Sequence, residues 1–284
     1  MSCDSTRATR QYYDRLAAEF AEVDVYWSNP YDVATWDLEN ELASQFLVVS
    51  EPILDLGVGF YPHIESTAGK RLVNVDLSRP SLVVARQVYH EKNRRMFYVS
   101  ADALSLPFRN GAFTGIIAGG ELLNHVPLAS GLREIHRVLA GCGRAVLSIG
   151  MKWCLDSLYA LLDSQMGNRL GYSMTREEAS EFVRHPMSST QVTWEVTPKF
   201  DLKVTLYSRR DIERALASAS LRVLASRSLN LTSGIIPLPI QQDNDATAAV
   251  KRVSRGLLEV DRWLGQVPLI KWFAGNVYLV VERS

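Results

Sequence analysis

The run Pro52-Ile53-Leu54-Asp55-Leu56-Gly57-Val58-Gly59-Phe60-Tyr61-Pro62 constrains this chain more than any other stretch. Apolar residues end in an acid, and two glycines follow one residue apart. The pattern predicts a buried strand over about 52–57 that breaks into a tight turn, where the backbone passes close to a neighbour. Glycine has no Cβ and adopts positive φ readily, so it suits such a turn. Pro62 fits the first turn of a short helix, where its missing N–H is not needed.

The same rhythm repeats downstream. Leu72-Val73-Asn74-Val75-Asp76 reads as a strand ending in an acid, and Ser78 with Pro80 opens a helix to about Lys92. Met96–Val99, closed by Asp102, is a third strand, and Ala112–Ala118, ending in Gly119-Gly120, is a fourth. A helix from about Ala129 to Leu139 leads into Gly141-Cys142-Gly143 as a turn and Arg144–Ile149 as a fifth strand. Such alternation predicts a parallel sheet covered by helices on both faces. Right-handed crossovers put the strand ends on one edge, and ligands of open sheets bind outside that edge. Asp55, Asp76, Asp102 and Gly119 stand at four of these ends.

On the N-terminal side, residues 5–22 carry Tyr12, Tyr13, Leu16, Ala17 and Phe20 at helical spacing, with Asp4 or Ser5 as the cap. An aromatic loop over 23–31 holds Tyr26, Trp27 and Tyr31. Asp32 starts a second helix to about Leu47, with Leu38, Leu42 and Phe46 toward the core and Asp37, Glu39 and Glu41 toward water. Beyond residue 150 the rhythm changes. Residues 151–166 look helical, Thr175 with Glu178 forms a capping box, and 191–197 and 201–207 read as a hairpin around Pro198-Lys199. Ser208 caps a helix over 209–220, strands follow over Leu221–Leu229 and Asn276–Glu282, and a helix spans about 245–264.

Composition bounds the partners. The chain has 284 residues, 47% of them hydrophobic, which suffices for a full core. Its 31 basic and 31 acidic residues balance, which argues against nucleic acid as the main partner. Cys3, Cys142 and Cys154 show no C-x-x-C spacing, so neither a disulfide framework nor a metal site is expected. The first residues are polar, and no apolar run approaches the roughly 18 residues of a membrane span. The expectation is a cytoplasmic protein with no membrane partner; a homodimer stays open.

The motifs have plain readings beside functional ones. Asp55-Leu56-Gly57-Val58-Gly59 lacks the third glycine of a dinucleotide fingerprint, because Pro62 stands there; the plain reading is a turn with no ligand. A carboxylate such as Asp76, 21 residues after Asp55, can accept both hydroxyls of a ribose, or simply cap the helix at Ser78-Arg79-Pro80. Asp102 can accept an adenine amino proton or cap its own loop. Taken together, the three acids say more than any one of them.

Asp55-x-Gly57-x-Gly59, Asp76, Ala101-Asp102-Ala103-x-x-Leu106-Pro107-Phe108, Glu121-Leu122-Leu123-Asn124-His125-Val126 and Leu132-Arg133-Glu134-Ile135-x-Arg137-Val138-Leu139 occur in that order. The set resembles class I S-adenosylmethionine-dependent methyltransferases, in particular the small-molecule branch of ubiquinone and menaquinone biosynthesis. Tyr12-Tyr13-Asp14-x-Leu16-Ala17 resembles the lead-in helix of that branch, and Tyr207–Ile212 through Val223 its late helix and sixth strand. Tyr61 departs from a frequent third glycine, Thr114 from an acid in the fourth strand, and Ser220 from a glycine before the sixth strand.

The resemblance implies an α/β fold: a Rossmann-like, seven-stranded, mostly parallel sheet with helices on both faces and a helical and hairpin lid. It implies a lead-in over 1–50, a core over 51–150 and 207–284, and lid segments over 151–206 and 230–275. The implied cofactor is S-adenosyl-L-methionine, with S-adenosyl-L-homocysteine as product. Gly57 and Gly59 would approach its methionine part, with Asp55 ordering that loop or reaching the amino group through water. Asp76, with Leu77 beside it, would hold the ribose, Asp102 and Ala103 the adenine, and Gly119 would offer backbone near the sulfonium. Tyr13 and Tyr31 would close the site.

His125 follows the fourth strand and is the candidate base, since an unperturbed imidazole titrates at about 6.5. Against it stands local packing, and methyl transfer can proceed by alignment without a base. His63, His90, His136 and His185 read as structural or solvated. Asn29-Pro30-Tyr31 resembles a fragment of the nucleic-acid amino-methyltransferase motif, but it precedes the glycine turn and lacks a convincing strand before it. Trp153, Tyr159, Trp194, Trp263, Trp272 and Phe273 make the added segments aromatic, as a lid over an apolar acceptor or as ordinary packing. The expected function is methyl transfer to an O or N atom of a small, apolar or aromatic metabolite. Methylation of a protein or nucleic acid, and a non-catalytic cofactor-binding regulator, are the alternatives.

Overall fold

A computed structural model describes residues 3–20, 29–89, 91–197, 200–243 and 245–284. Tyr26, Trp27, His90, Pro198 and Lys199, named above, lie outside the described residues. Seven strands form one sheet: β1 (Ile53–Leu56), β2 (Leu72–Asp76), β3 (Met96–Ser100), β4 (Phe113–Ala118), β5 (Leu139–Gly150), β8 (Leu221–Leu229) and β9 (Asn276–Arg283). Their order is β3-β2-β1-β4-β5-β9-β8. The pairings among β1 to β5 are parallel, and β9 runs antiparallel to both β5 and β8. The order reverses between β1 and β4, so a crevice opens at their carboxyl ends.

Adjacent residues of the buried strands supply opposite cores, as a period of two requires. Leu54, Ile116 and Leu147 join one core with α5 (Leu128–Val138) and α8 (Arg209–Ser218). Ile53, Ile117 and Val146 join the other with α2 (Pro30–Phe46) and α10 (Ala248–Leu264). Helices α1 (Cys3–Phe20), α3 (Arg79–Tyr89) and the one-turn α4 (Leu122–His125) complete this part. A third, smaller core lies in the added segments, where Ala160, Tyr172, Phe182 and Val192 pack together. It is built from α6 (Leu155–Met166), α7 (Arg176–Arg184) and a hairpin of β6 (Thr190–Thr197) and β7 (Phe200–Leu206), with α9 (Leu238–Gln241) nearby. Buried Lys152 ties these pieces, its Nζ donating to the carbonyls of His185 and Ser188 and to Thr190 Oγ1 at 2.6–2.8 Å.

Several local expectations meet their physical cause. Thr175 and Glu178 form a reciprocal capping box, and Ser208 caps α8. Others change. No helix follows Pro62; residues 64–69 form turns instead. Gly141-Cys142-Gly143 is not a turn but part of β5, which starts at Leu139 beside a register shift against β4. Helix α2 begins at Pro30 rather than Asp32, because Asn29 Oδ1 accepts from the Asp32 N–H and caps it, which also absorbs the Asn29-Pro30-Tyr31 motif. The helix expected from residue 151 starts at Leu155. No helix among the described residues is long and apolar enough to cross a membrane.

Ser220 keeps a left-handed backbone, φ +52°, at the junction into β8. A non-glycine residue there costs roughly 1–2 kcal/mol. Ser220→Gly is therefore expected to raise the urea midpoint, by about 0.5–1 kcal/mol once the looser unfolded chain is counted. A midpoint lowered by the full cost of a glycine, about 0.5–1 kcal/mol of stability, would show that the conformation carries no strain.

Candidate functional site

The turn after β1 is set by its glycines. Gly57 and Gly59 have φ of +73° and +53°. The N–H groups of Gly57 and Val58 donate to Val75 O at 2.8 and 3.2 Å, which locks the turn onto β2. A Cβ on Gly57 would lie 2.9 Å from Leu122, whereas nothing lies within 4 Å of one on Gly59 or Gly120. One glycine thus answers close packing, and the other two leave bare backbone facing a cavity.

That cavity measures about 340 Å³. All the residues singled out above line it: Gly57, Gly59 and Asp55 from the turn, Asp76 and Leu77 after β2, Asp102 and Ala103 after β3, Gly119 after β4, His125 from α4, and Tyr13 and Tyr31 from α1 and α2. Asp76 accepts from the Gly59 N–H at 2.9 Å through Oδ2 and from Ser78 at 2.7 Å through Oδ1, and burial raises its pKa. Asp102 accepts from the Leu104 N–H at 2.8 Å, which turns the chain after β3. Tyr61, at the third-glycine position, packs edge-on against Trp36, Phe60 and Tyr89.

Three buried ionisable groups hold the turn from behind. The His63 ring donates from Nδ1 to Asp55 Oδ1 at 3.0 Å and from Nε2 to Glu39 Oε2 at 3.2 Å. The His63 N–H also donates to Asp55 Oδ2 at 2.8 Å, and the Trp36 ring stacks on the imidazole at 4.3 Å. Burial by itself pulls the histidine pKa down, but the Asp55 charge and the bonds to Asp55 and Glu39 raise it to about 10. Glu39 does not face water as its position in α2 suggests: it is 2% exposed, and its Oε1 accepts from the Gly120 N–H at 2.9 Å. A Cβ on Gly119 would lie 2.5 Å from that carboxylate. Asp55 thus ties the end of β1 to His63. Neither Glu39 nor His63 stood out in the sequence, and no local signal marks them, since their meeting depends on α2 crossing the end of β4.

The opposite wall carries the groups suited to an acceptor. Glu121 sits at φ +56°, its N–H donating to Ser148 Oγ at 2.9 Å. The Asn276 amide donates to both Glu121 Oε1 and the Tyr31 hydroxyl at 2.7 Å. Burial, with the Glu39, Asp32 and Asp156 charges, raises the Glu121 pKa to about 7, although the Asn276 bond pulls it down. His125 goes the other way, since burial lowers it to about 4. Its Nε2 lies 3.4 Å from the Tyr13 hydroxyl, and its buried Nδ1 has no hydrogen-bond partner. Tyr12 and Tyr13 of α1 and Leu202 and Val204 of β7 line the cavity from the lead-in and lid sides. Two open backbone faces, a carboxylate after β2 and another after β3 fit a nucleoside cofactor with an amino-acid arm.

The His63 cluster makes stability depend on pH. A group whose pKa rises from about 6.5 to about 10 on folding contributes fully below 6.5, and the contribution is lost as pH climbs through 10. Urea midpoints of the wild type should therefore fall between pH 7 and pH 10. His63→Gln should flatten that decline; parallel curves would dismiss the charged histidine.

Residues 54–147 match the family described as "Methyltransferase domain". An uncharacterized protein of Methanocaldococcus jannaschii is 24% identical over 79% of this chain and 80% of its own length. A demethylmenaquinone methyltransferase of Thermus thermophilus is 34% identical over 29% of this chain, which is 38% of that enzyme. Among solved structures, the 1,6-didemethyltoxoflavin-N1-methyltransferase of Burkholderia thailandensis, with bound 1,6-didemethyltoxoflavin and S-adenosylhomocysteine, has a TM-score of 0.50 at 14% identity, over 96% of this chain and 89% of that one. With this domain match and the reversed strand order, residues 54–147 form a methyltransferase domain set in a Rossmann-like fold.

Proposed function

We propose that this protein transfers a methyl group from S-adenosylmethionine to an O or N atom of a small, apolar or aromatic metabolite. The observation that carries the reading is one cavity with the glycine turn on one side and Glu121 and His125 on the other, walled by Trp36, Tyr12, Tyr13 and the β7 side chains. When bound, the cofactor supplies an electrophilic methyl on a sulfonium.

The chain's own groups then have distinct tasks. Gly57 and Gly59 take the methionine part, Asp76 with Leu77 the ribose, Asp102 and Ala103 the adenine, and Gly119 gives backbone near the sulfonium. Tyr13 and Tyr31 close the site, and α1 with the hairpin excludes water. A base works best when its pKa lies near the working pH. Glu121, at about 7, meets that condition, and Asn276 holds its Oε1 so that Oε2 is the atom to take a proton. His125, at about 4, stays neutral throughout the working range. Its unpartnered Nδ1 suits a hydrogen bond to the acceptor rather than a full proton transfer.

Calorimetry with S-adenosylhomocysteine tests the cofactor site. Asp76→Ala should weaken binding by about 1.5–3 kcal/mol, the worth of hydrogen bonds to a charged group; an unaltered affinity would remove Asp76 from the site. With an acceptor in hand, the wild-type rate should rise through pH 7 as Glu121 ionises, and Glu121→Gln should be slow and lack that limb. His125→Gln should slow turnover and spare cofactor affinity. A Glu121→Gln profile identical to the wild type would exclude Glu121 as the base. Cofactor binding without turnover across a broad acceptor panel would favour a regulatory protein.

A further inference from the structure

A second cavity of about 230 Å³ lies wholly within the added segments. Its walls are Asp156, Ser157 and Ala160 of α6, Ser173 and Met174 before α7, and the hairpin and α9 residues facing them. It does not stand alone. Gln242 lines both this cavity and the larger one. A small void of about 20 Å³ lies between them, sharing Tyr31 and Glu121 with the first cavity and Asp156, Ser157 and Leu206 with the second. The shared residues place the three spaces side by side, from the carboxyl end of β4 into the added segments.

The ionisable side chains lining the passage and the second cavity are all acids. Glu121 stands at the mouth of the passage and Asp156 at its far side. Asp156 is buried and accepts from the Tyr172 hydroxyl at 2.5 Å, the Leu238 N–H at 2.7 Å and the Asn230 amide. Those neutral donors hold the carboxyl group in place, and none of them is a cation. Among the described residues, no Lys or Arg lines any of the three spaces. Lys152, the buried lysine of the lid, spends its Nζ on His185, Ser188 and Thr190 outside them. An anionic group in the passage would lose its water and meet the two acids Glu121 and Asp156 where, among the described residues, no Lys, Arg or His lines the passage or the second cavity, which is strongly unfavourable.

We propose that the methyl acceptor is an elongated molecule bearing no anionic group, a neutral alcohol or an amine, whose reacting end sits beside Glu121 and whose far end occupies the second cavity. This rests on the methyltransferase reading above and narrows its substrate class. The second cavity mixes aliphatic walls (Ala160, Met174, Val192, Leu206, Leu238) with the hydroxyls of Ser157, Ser173 and Thr193. It therefore suits a ring or short chain with few polar substituents, and carboxylates, phosphates and diphosphates are excluded.

The test uses three probes that differ only at one end: 4-phenylbutanol, 4-phenylbutylamine and 4-phenylbutyrate. Each is titrated into the full chain, with and without S-adenosylhomocysteine, and followed by calorimetry or ligand-observed NMR. The alcohol and the amine should bind at least tenfold more tightly than the carboxylate. Ala160→Phe, which fills the second cavity, should weaken both by tenfold or more and leave S-adenosylhomocysteine affinity within twofold. Ser173→Trp, at a partly exposed wall, serves as a second filling variant should Ala160→Phe fail to fold by circular dichroism. Equal binding of the three probes overturns the inference, as does no binding of any at millimolar concentration, or a folded filling variant that binds them like the wild type. A wild type that fails to bind S-adenosylhomocysteine overturns the cofactor reading instead, and the titrations without it still decide the charge ranking.

Discussion

The buried Asp55–His63–Glu39 contact is the interaction on which the site depends. One imidazole joins the end of β1, the glycine turn and α2, and Glu39 carries the link on to the Gly120 N–H after β4. A histidine held between two carboxylates is stable in burial only while it is charged, and removing one partner of such a buried pair costs about 3–5 kcal/mol. The contact thus fixes the spacing of the two loops that frame the cavity. It also explains the bare glycine after β4: the space a side chain would take at Gly119 is filled by Glu39.

The two walls of the cavity are electrostatically unlike. Behind the glycine turn, two acids share one imidazolium, which offsets one of their charges. On the facing wall, Glu121 meets only the Asn276 amide and lies in the field of other acids, so its proton is held up to near neutrality. His125 faces burial with no acid to offset it and is pushed to about 4. An acid and a histidine in one cavity are thus shifted in opposite directions, the one toward neutral pH and the other away from it.

Much of this was legible in the chain because it is local. The alternating strands, the Thr175 and Ser208 caps and the hairpin follow from patterns within a few residues of one another. The strand-end residues lining the cavity were legible too, because an open parallel sheet brings the ends of its strands to one edge whatever the sequence between them. Departures arose where a local pattern met a distant partner. Pro62 signals a helix start, but Asp55 takes the His63 N–H and the segment stays in turns. Gly141 and Gly143 signal a turn, but β4 pairs with Leu139 before them and Arg144 after them, and they stay within β5. Ser220 looks like a lost glycine, yet the backbone keeps the glycine conformation.

By itself the sequence determined the sheet, the cofactor turn and the acids at its edge, since each is written in short-range periodicity and in the residue types that end a strand. Only the tertiary structure decided that Glu39 is buried, that His63 is held in its charged form, that the Glu121 pKa rises while the His125 pKa falls, and that the added segments hold a second cavity beside the first. Those properties depend on which groups from distant segments share a volume from which water is excluded. Desolvation and Coulomb interaction act through space, and no pattern along the chain records them.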